Sequence, residues 1–248
     1  MISAVIICKN EENNIARCLE SIKWADEIVI VDTGSTDRTL EICSNYGCSI
    51  FILDKWEGFG KAKNYAVNKA KYDWIFSIDA DEEVSESLKN KILLKINEPE
   101  QNKAFKIKRV SYFMGKMIRY SGWQRDYPLR LFNRKNGNFN LKIVHEGVRV
   151  DCEIEKIDDI LHHHTYPEIK THISKMIHYT ELGAKQDFEK KKKSSITKAV
   201  FKGLLRFFKM YIINLGFLDG KAGLVLALNT IFYVYLKNIY IWELNQKK

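Results

Sequence analysis

Two carboxylates set two residues apart, Asp79 and Asp81, follow the apolar, β-rich run Tyr72-Asp73-Trp74-Ile75-Phe76-Ser77-Ile78. A buried strand of that composition would deliver the cluster Asp79-Ala80-Asp81-Glu82-Glu83 to its own carboxyl end, where open α/β sheets keep their ligands. There one carboxylate of an Asp-x-Asp pair can hold a divalent cation and the other a sugar or ribose hydroxyl, which suits a diphosphate-bearing substrate better than a bare acid pair does. Acidic triplets also cap helices, so the triplet alone decides nothing. Glu82 and Glu83 are expected to open the next helix, where negative charge suits the dipole.

A second group is Val31-Asp32-Thr33-Gly34-Ser35-Thr36-Asp37, which joins a strand to a helix. Gly34 lets backbone approach a ligand, and Ser35 and Thr36 stand at a helix N-terminus, so the turn can receive a nucleotide. A capping turn with no other role would read the same way. The companions shift the balance: Asn10-Glu11-Glu12-Asn13 follows the first strand, Asp32 the second and Asp79-Ala80-Asp81 the fourth. Polar clusters at the ends of successive parallel strands converge on one edge of the sheet.

The elements that must position these groups are legible from hydrophobic period. Strands are expected at Ile2 to Cys8, Glu27 to Asp32, Ser49 to Leu53 and Trp74 to Ile78, alternating with helices at Asn13 to Ser21, Thr36 to Tyr46 and Gly60 to Ala70. Asp37 or Ser35 can cap the second helix and Gly47 can end it. From about Phe105 the pattern changes to alternating runs (Ala104 to Val110, Arg130 to Phe132, Val148 to Val150), with Asn136-Gly137-Asn138 as a turn. The fold class is therefore α/β: a mostly parallel sheet with flanking helices, a mixed later half, and a helical tail from about Lys170.

At 248 residues and 46% hydrophobic composition the chain can bury a full α/β core. Its formal charge of +9 concentrates near the C-terminus: between Lys185 and Lys209 nine Lys or Arg stand against Asp187 and Glu189. Lys202, Arg206 and Lys209 share one side of a helix and Leu205, Phe208 and Ile212 another, a pattern that lies in a lipid headgroup layer or closes over a core. The apolar run from Ala222 is interrupted at Lys237, short of the ~20 residues of a membrane span, so interfacial attachment is expected. The five cysteines lack CxxC spacing and read as reduced thiols. Ile2 to Cys8 reads as a first strand with no leader before it.

Taken in order, Ile6-Ile7-Cys8-Lys9-Asn10-Glu11-Glu12, Val31 to Asp37, Gly58-Phe59-Gly60-Lys61-Ala62-Lys63-Asn64 and Asp79-Ala80-Asp81-Glu82 resemble the signature of family 2 inverting glycosyltransferases with a GT-A (Rossmann-like) fold. The resemblance is strong over residues 1 to about 100. It extends more loosely through Arg130-Leu131-Phe132, Val144-His145-Glu146 and Phe217-Leu218-Asp219-Gly220-Lys221-Ala222-Gly223, and in that combination is nearest to the bacterial lipopolysaccharide core glucosyltransferase subgroup.

That resemblance implies a metal-dependent enzyme with a catalytic domain over 1–170, divided into a nucleotide-sugar half (1–100) and an acceptor half (101–170), and a membrane-associating tail over 171–248. It implies nucleotide-sugar contacts from Asn10, Glu11, Asp32, Gly34, Ser35, Lys63 and Asp79, and Mn2+ or Mg2+ held by Asp81. It also implies a further metal ligand from His162-His163-His164, with His163 nearest the expected position. On a strand His162 and His164 would share the face opposite His163. Inversion requires a base for the acceptor hydroxyl. Glu146 is the choice, although the family's Glu-Asp pair is missing here; the alternative is a structural Glu146 paired with Arg130 or Arg134. Lys63 could likewise be a solvated helix lysine. The implied partners are a UDP-hexose, a lipid-linked or lipopolysaccharide core acceptor and an anionic membrane surface, without nucleic acid, at the cytoplasmic face of the inner membrane. A nucleotidyltransferase is the rival enzyme, but its Gly-rich basic loop after strand one is replaced by Lys9-Asn10-Glu11-Glu12. A non-enzymatic basic module would leave Asp32, Asp79 and Asp81 without a role.

Overall fold

The structure, a computed structural model, describes residues 1–98, 102–140 and 147–246. It divides into two compact units, one of Met1–Val110 with Asp126–His164 and one of Ser111–Arg125 with Thr165–Lys248.

The first unit opens with β1 (Ile2–Cys8), α1 (Ile15–Ile22), β2 (Glu27–Asp32), α2 (Thr39–Asn45), β3 (Ser49–Ile52), α3 (Phe59–Lys69) and β4 (Trp74–Ser77). It continues with β5 (Glu82–Val84), α4 (Glu86–Ile96) and β6 (Lys103–Phe113); after the short β7 (Lys116–Met117) come β8 (Leu129–Asn133), β9 (Gly137–Phe139), β10 (Val148–Val150) and β11 (Glu153–Tyr166). β6 and β11 thus run on into the chain of the second unit.

The main sheet has the order β3-β2-β1-β4-β8-β6-β11-β5. β1 to β4 pair in parallel, in the register Cys8↔Asp32 and Val5↔Ser77, which brings the carboxyl ends of β1, β2 and β4 to one edge. β8 pairs antiparallel with β4 and β6 with β8, so the later half is mixed, as expected. β9 and β10 form a separate antiparallel ribbon.

β1 is buried almost throughout because helices cover both faces, which is why it reads as an unbroken apolar run rather than an alternation. Alternate residues feed two cores. Ile6, Phe76 and Leu131 pack with Leu19 of α1 and Leu88 of α4, whereas Val5, Ile75 and Phe132 pack with Ala66 and Val67 of α3. In α1 the buried Ile15, Cys18, Leu19 and Ile22 recur at helical spacing.

Three expectations need correction. Glu82 and Glu83 lie in β5, paired with His163 and His162 of β11; α4 starts only after Ser85, whose Oγ accepts from the Leu88 amide. Strand pairing outcompetes the dipole preference here. Gly137 belongs to β9; the turn is Arg134 to Asn136, closed by the Asn136 amide on the Asn133 carbonyl at 2.9 Å. Lys237, moreover, does not leave the apolar tail helix short of the length of a membrane span.

The second unit carries α5 (Ile169–Glu189), α6 (Ile196–Phe208) and α7 (Gly220–Gln246). Its core is Phe113, Ile118, Met210, Leu226 and Ala227. Residues Gly216–Gln246 are long and apolar enough to cross a bilayer by length and composition, the mean hydropathy reaching 1.5 over an 18-residue window. Within the helix, the Lys237 ammonium is paired with Asp187 of α5 at 2.9 Å.

The motif Phe217 to Gly223 is a structural hub of this unit. Asp219 is buried and accepts from the Arg119 amide (2.9 Å), the Tyr120 amide (3.1 Å) and Ser121 Oγ (2.8 Å), while Lys116 Nζ donates to its carbonyl at 2.7 Å. A Cβ on Gly223 would lie 2.0 Å from the Gly216 carbonyl oxygen, so only glycine allows this approach. Gly223→Ala is expected to destabilise the protein by about 1–3 kcal/mol, the usual cost of overpacking. A urea midpoint equal to that of the wild type would show that the backbone relaxes without cost.

Candidate active site

The loops after β1 and β2 are zipped together. Asn10 Oδ1 accepts from the Thr36 amide at 2.7 Å, and Ser35 Oγ accepts from the Asn10 amide at 2.9 Å. Next along the chain, the Glu11 amide donates to Thr39 Oγ1 (2.8 Å), the Glu12 amide to Asp37 Oδ2 (3.1 Å), and the Arg38 amide back to Glu12 Oε2 (3.1 Å). Asn10 is held at a φ of +55°, a left-handed backbone that Asn tolerates better than most residues. Asp37 braces the start of α2 by accepting from the Thr39 amide at 3.0 Å, although the residue before the helix is Arg38.

Asp32 is nearly inaccessible and organises the turn that follows it. Its Oδ2 accepts from the Gly34 and Ser35 amides, both at 2.9 Å, and its Oδ1 from Ser35 Oγ and, at 3.8 Å, from Cys8 Sγ. These four bonds match the acceptor capacity of a carboxylate. Gly34 has a φ of +100°, and a Cβ there would meet nothing within 4 Å; glycine is required for its backbone, not for space.

Asp79, beyond the end of β4, sits in a cationic cage. Lys63 of α3 approaches Oδ1 at 3.1 Å, Arg130 of β8 bonds to Oδ2, and Arg109 of β6 stands 3.9 Å from Oδ2. Lys63 is therefore a buried partner of Asp79, not a solvated lysine; its ammonium also lies 5.5 Å from the Phe139 ring centre. Burial would raise the Asp79 carboxyl, but Arg130, then Lys63 and Arg109, hold it well below the usual carboxylate range.

Glu82 completes the cage from below. It is fully buried, accepts from Arg130 at 2.5 Å and Arg109 at 3.1 Å, and its Oε2 takes the Asp79 amide at 2.9 Å. Arg109 also holds Asp126 at 2.7 Å. Among the described residues, three carboxylates thus face three cations.

Asp81 stands apart from this cage. Its Oδ2 is 3.4 Å from His163 Nε2, both side chains being 15% exposed, and its carbonyl accepts from the His164 amide at 2.8 Å. His162 and His164 share the other face, with ring centres 6.5 Å apart, and His164 Nε2 meets Glu83 at 2.8 Å. Among the described residues no cluster of three His, Cys, Asp or Glu side chains converges as a preformed metal cage. Glu146 lies outside the described residues. Its two alternative partners are engaged elsewhere, Arg130 as above and Arg134 with Asp73 at 3.2 Å.

Residues 3–150 match the family described as Glycosyl transferase family 2. The chain belongs to this glycosyltransferase family. It is 29% identical to the lipopolysaccharide core biosynthesis glycosyltransferase LpsC of Rhizobium meliloti (strain 1021), over 98% of this chain and 92% of the relative. An uncharacterized glycosyltransferase of Rickettsia typhi is also 29% identical, over 99% and 88%. Among solved structures, glucosyl-3-phosphoglycerate synthase of Mycobacterium tuberculosis, in complex with Mn2+, UDP and glucosyl-3-phosphoglycerate, aligns over 44% of each chain at 22% identity and a TM-score of 0.40.

Sequence reasoning about this glycosyltransferase missed the roles of Glu82 and Arg109 and the pairing of Arg130 with Asp79 and Glu82. A signal was present: Arg130 interrupts the apolar β8, and Arg109 takes the buried face in the alternation of Phe105, Ile107 and Phe113, where a cation survives only beside buried carboxylates.

Because the folded Asp79 carboxyl is depressed, its stabilisation is complete above the unfolded value, about 4, and is lost as pH falls through the folded one. Asp79→Asn should be less stable than wild type at pH 7, and the gap should close as pH drops below about 4. Urea midpoints measured across that range would check it; a gap independent of pH would mean that the Asp79 charge does not stabilise the fold.

Proposed function

We propose that the protein is an inverting, metal-dependent transferase that moves glucose from UDP-glucose to a lipid-linked acceptor in lipopolysaccharide core biosynthesis. The observation that carries this reading is the gathering, at one sheet edge of a family 2 chain, of the Asn10–Ser35 loop pair, the caged Asp79 and the Asp81–His163 pair. Similarity to LpsC across almost the whole length supports the pathway.

In this reading Asp32 acts through the turn that it braces. With its oxygens engaged, it presents the backbone of Gly34 and Ser35 to the nucleotide, and Asn10 and Glu11 border the same pocket. Asp79, fixed by Lys63, Arg109 and Arg130, orients the ribose hydroxyls, and Lys63 contributes positive charge near the nucleotide.

The donor set of Asp81 and His163 suits a divalent cation bound partly by protein and partly by substrate phosphates: one carboxylate and one imidazole, 3.4 Å apart, leave the remaining positions to diphosphate and water. The mixed N/O set favours Mn2+ over Mg2+. When bound, such an ion neutralises charge on the departing diphosphate. Asp79 is a poorer ligand, because its cations already balance it.

Glu146 removes the proton of the acceptor hydroxyl as that oxygen attacks the anomeric carbon. Asp126 and Asp151 are the next candidates, and Asp126 is already paired with Arg109. Attachment to the membrane is peripheral in this reading, at the cytoplasmic face. Supporting it, α6 exposes Phe201 (63%) and Leu204 (56%) yet has only 13 residues, and α7 carries Lys237, Asn238 and Glu243 within its length.

Transfer assays with UDP-glucose, with and without Mn2+, on a core oligosaccharide acceptor test the reading; no transfer from any nucleotide sugar would sink it. Asp81→Ala should abolish transfer and metal-dependent UDP binding while leaving the unfolding curve of the protein intact. Glu146→Gln should keep donor affinity and lower transfer by ~10²-fold or more, the usual contribution of a positioned base. Near-normal transfer by that variant would move the base elsewhere.

A further inference from the structure

The α5–α6 connection, α6 and α7 line a cleft of about 300 Å³ with Lys192, Lys193, Lys198, Lys202 and Lys237 around a single acidic residue, Asp187. Asp187 is shared, taking Lys192 at 2.7 Å and Lys237 at 2.9 Å. Lys202 leans on Asn238 Oδ1 at 3.5 Å, an atom that Ser194 Oγ also reaches at 2.9 Å, and Lys198 donates to the Lys193 carbonyl at 3.2 Å. Lys193, Lys198 and Lys202 have no carboxylate partner among the described residues. Ammonium groups gathered without compensation repel one another, and a bound anion relieves that repulsion.

The same helix supplies a second, independent feature. Beside Lys198 and Lys202, α6 exposes Val200 (46%), Phe201 (63%), Leu204 (56%), Leu205 (53%) and Phe208 (55%). An anion site bordered by a bare apolar helix face matches a ligand that carries both a charged head and a hydrocarbon body.

We infer that this lysine cleft is a binding site for the phosphate monoester headgroup of a membrane lipid, whose chains lie against the apolar face of α6. A terminal phosphate offers up to two negative charges and three acceptor oxygens to the three uncompensated ammonium groups; a diester headgroup offers one charge and fewer oxygens. The inference rests on the membrane attachment proposed above and adds selectivity to it. Diffuse attraction would count charges, whereas this cleft reads the phosphate's form.

The test is co-sedimentation of the full chain with phosphatidylcholine vesicles containing either phosphatidic acid or phosphatidylglycerol at matched surface charge. Wild type should prefer phosphatidic acid, and inorganic phosphate should erode that preference. The combined variant Lys193→Gln, Lys198→Gln, Lys202→Gln should lose the preference, with an apparent affinity for phosphatidic acid vesicles lower by about ten-fold or more. An equal charge change outside the cleft, Lys190→Gln, Arg206→Gln, Lys209→Gln, should weaken binding to both vesicles and keep the preference; circular dichroism melts establish that both variants fold. Equal binding of wild type to the two anionic vesicles, or equal loss of preference in both variants, would overturn the cleft site and leave membrane attachment standing. Binding to no vesicle would overturn the attachment and the lipid ligand together. In that event, a thermal shift with inorganic phosphate that the cleft variant lacks would assign the cleft to soluble phosphate instead.

Discussion

Arg130 is the residue on which the candidate site depends. It enters an apolar strand fully desolvated, and that is tolerable only because Asp79 and Glu82 meet its guanidinium there. The consequence runs through four strands: β8 supplies the cation, β5 the buried Glu82, β6 the second guanidinium of Arg109, and the end of β4 the Asp79 that all of them hold. Removing Arg130 would leave the fully buried Glu82 with Arg109 alone as its cation. A rotamer of Asp79 is thereby determined by the sheet and not by local chain preference, as the ion pairs with Lys63 and Arg130 show.

The same economy separates the two acidic residues of the Asp79-Ala80-Asp81 triplet. Two positions only two residues apart, with identical chemistry, acquire different environments, one enclosed by cations and the other facing an imidazole from β11. A divalent ion competes poorly for a carboxylate already neutralised by Arg and Lys, so electrostatics gives the two carboxylates different ligand chemistry. Upstream, the loops after β1 and β2 solve another problem. Neither could hold its shape alone, and each satisfies the other's amides through Asn10, Ser35, Asp37 and Thr39.

The second unit combines opposite tendencies in one helix layer. Its core is small, and Asp219 and the close approach of Gly216 to Gly223 hold together what apolar burial alone would leave loose. Meanwhile α6 directs aromatic and aliphatic side chains outward between lysines. A surface with so much exposed apolar area is costly in water and favourable at a lipid interface.

The sequence by itself determined the element order of the first half, because strands buried on both faces and amphipathic helices leave distinct periods: β1 and β2 begin and end where their apolar runs do. It also marked Asp32, Gly34, Asp79 and Asp81, since polar groups at the carboxyl ends of successive parallel strands converge on one sheet edge. Glu82 was misread because its local signal, an acidic residue ahead of a helix, is identical to that of a helix start; only pairing with β11, some eighty positions away, makes it a strand residue. Arg109, Arg130 and the depth of Lys63 were hidden for the same reason, as their partners are distant in sequence and a cation carries no mark of which carboxylate it will meet. The length of α7 was concealed by Lys237, whose charge reads as a stop, although in the fold it is paired with Asp187 of another helix. Period and composition are local properties and survive in one dimension; ion pairing and burial depend on which elements the fold brings together, and only the tertiary structure decides that.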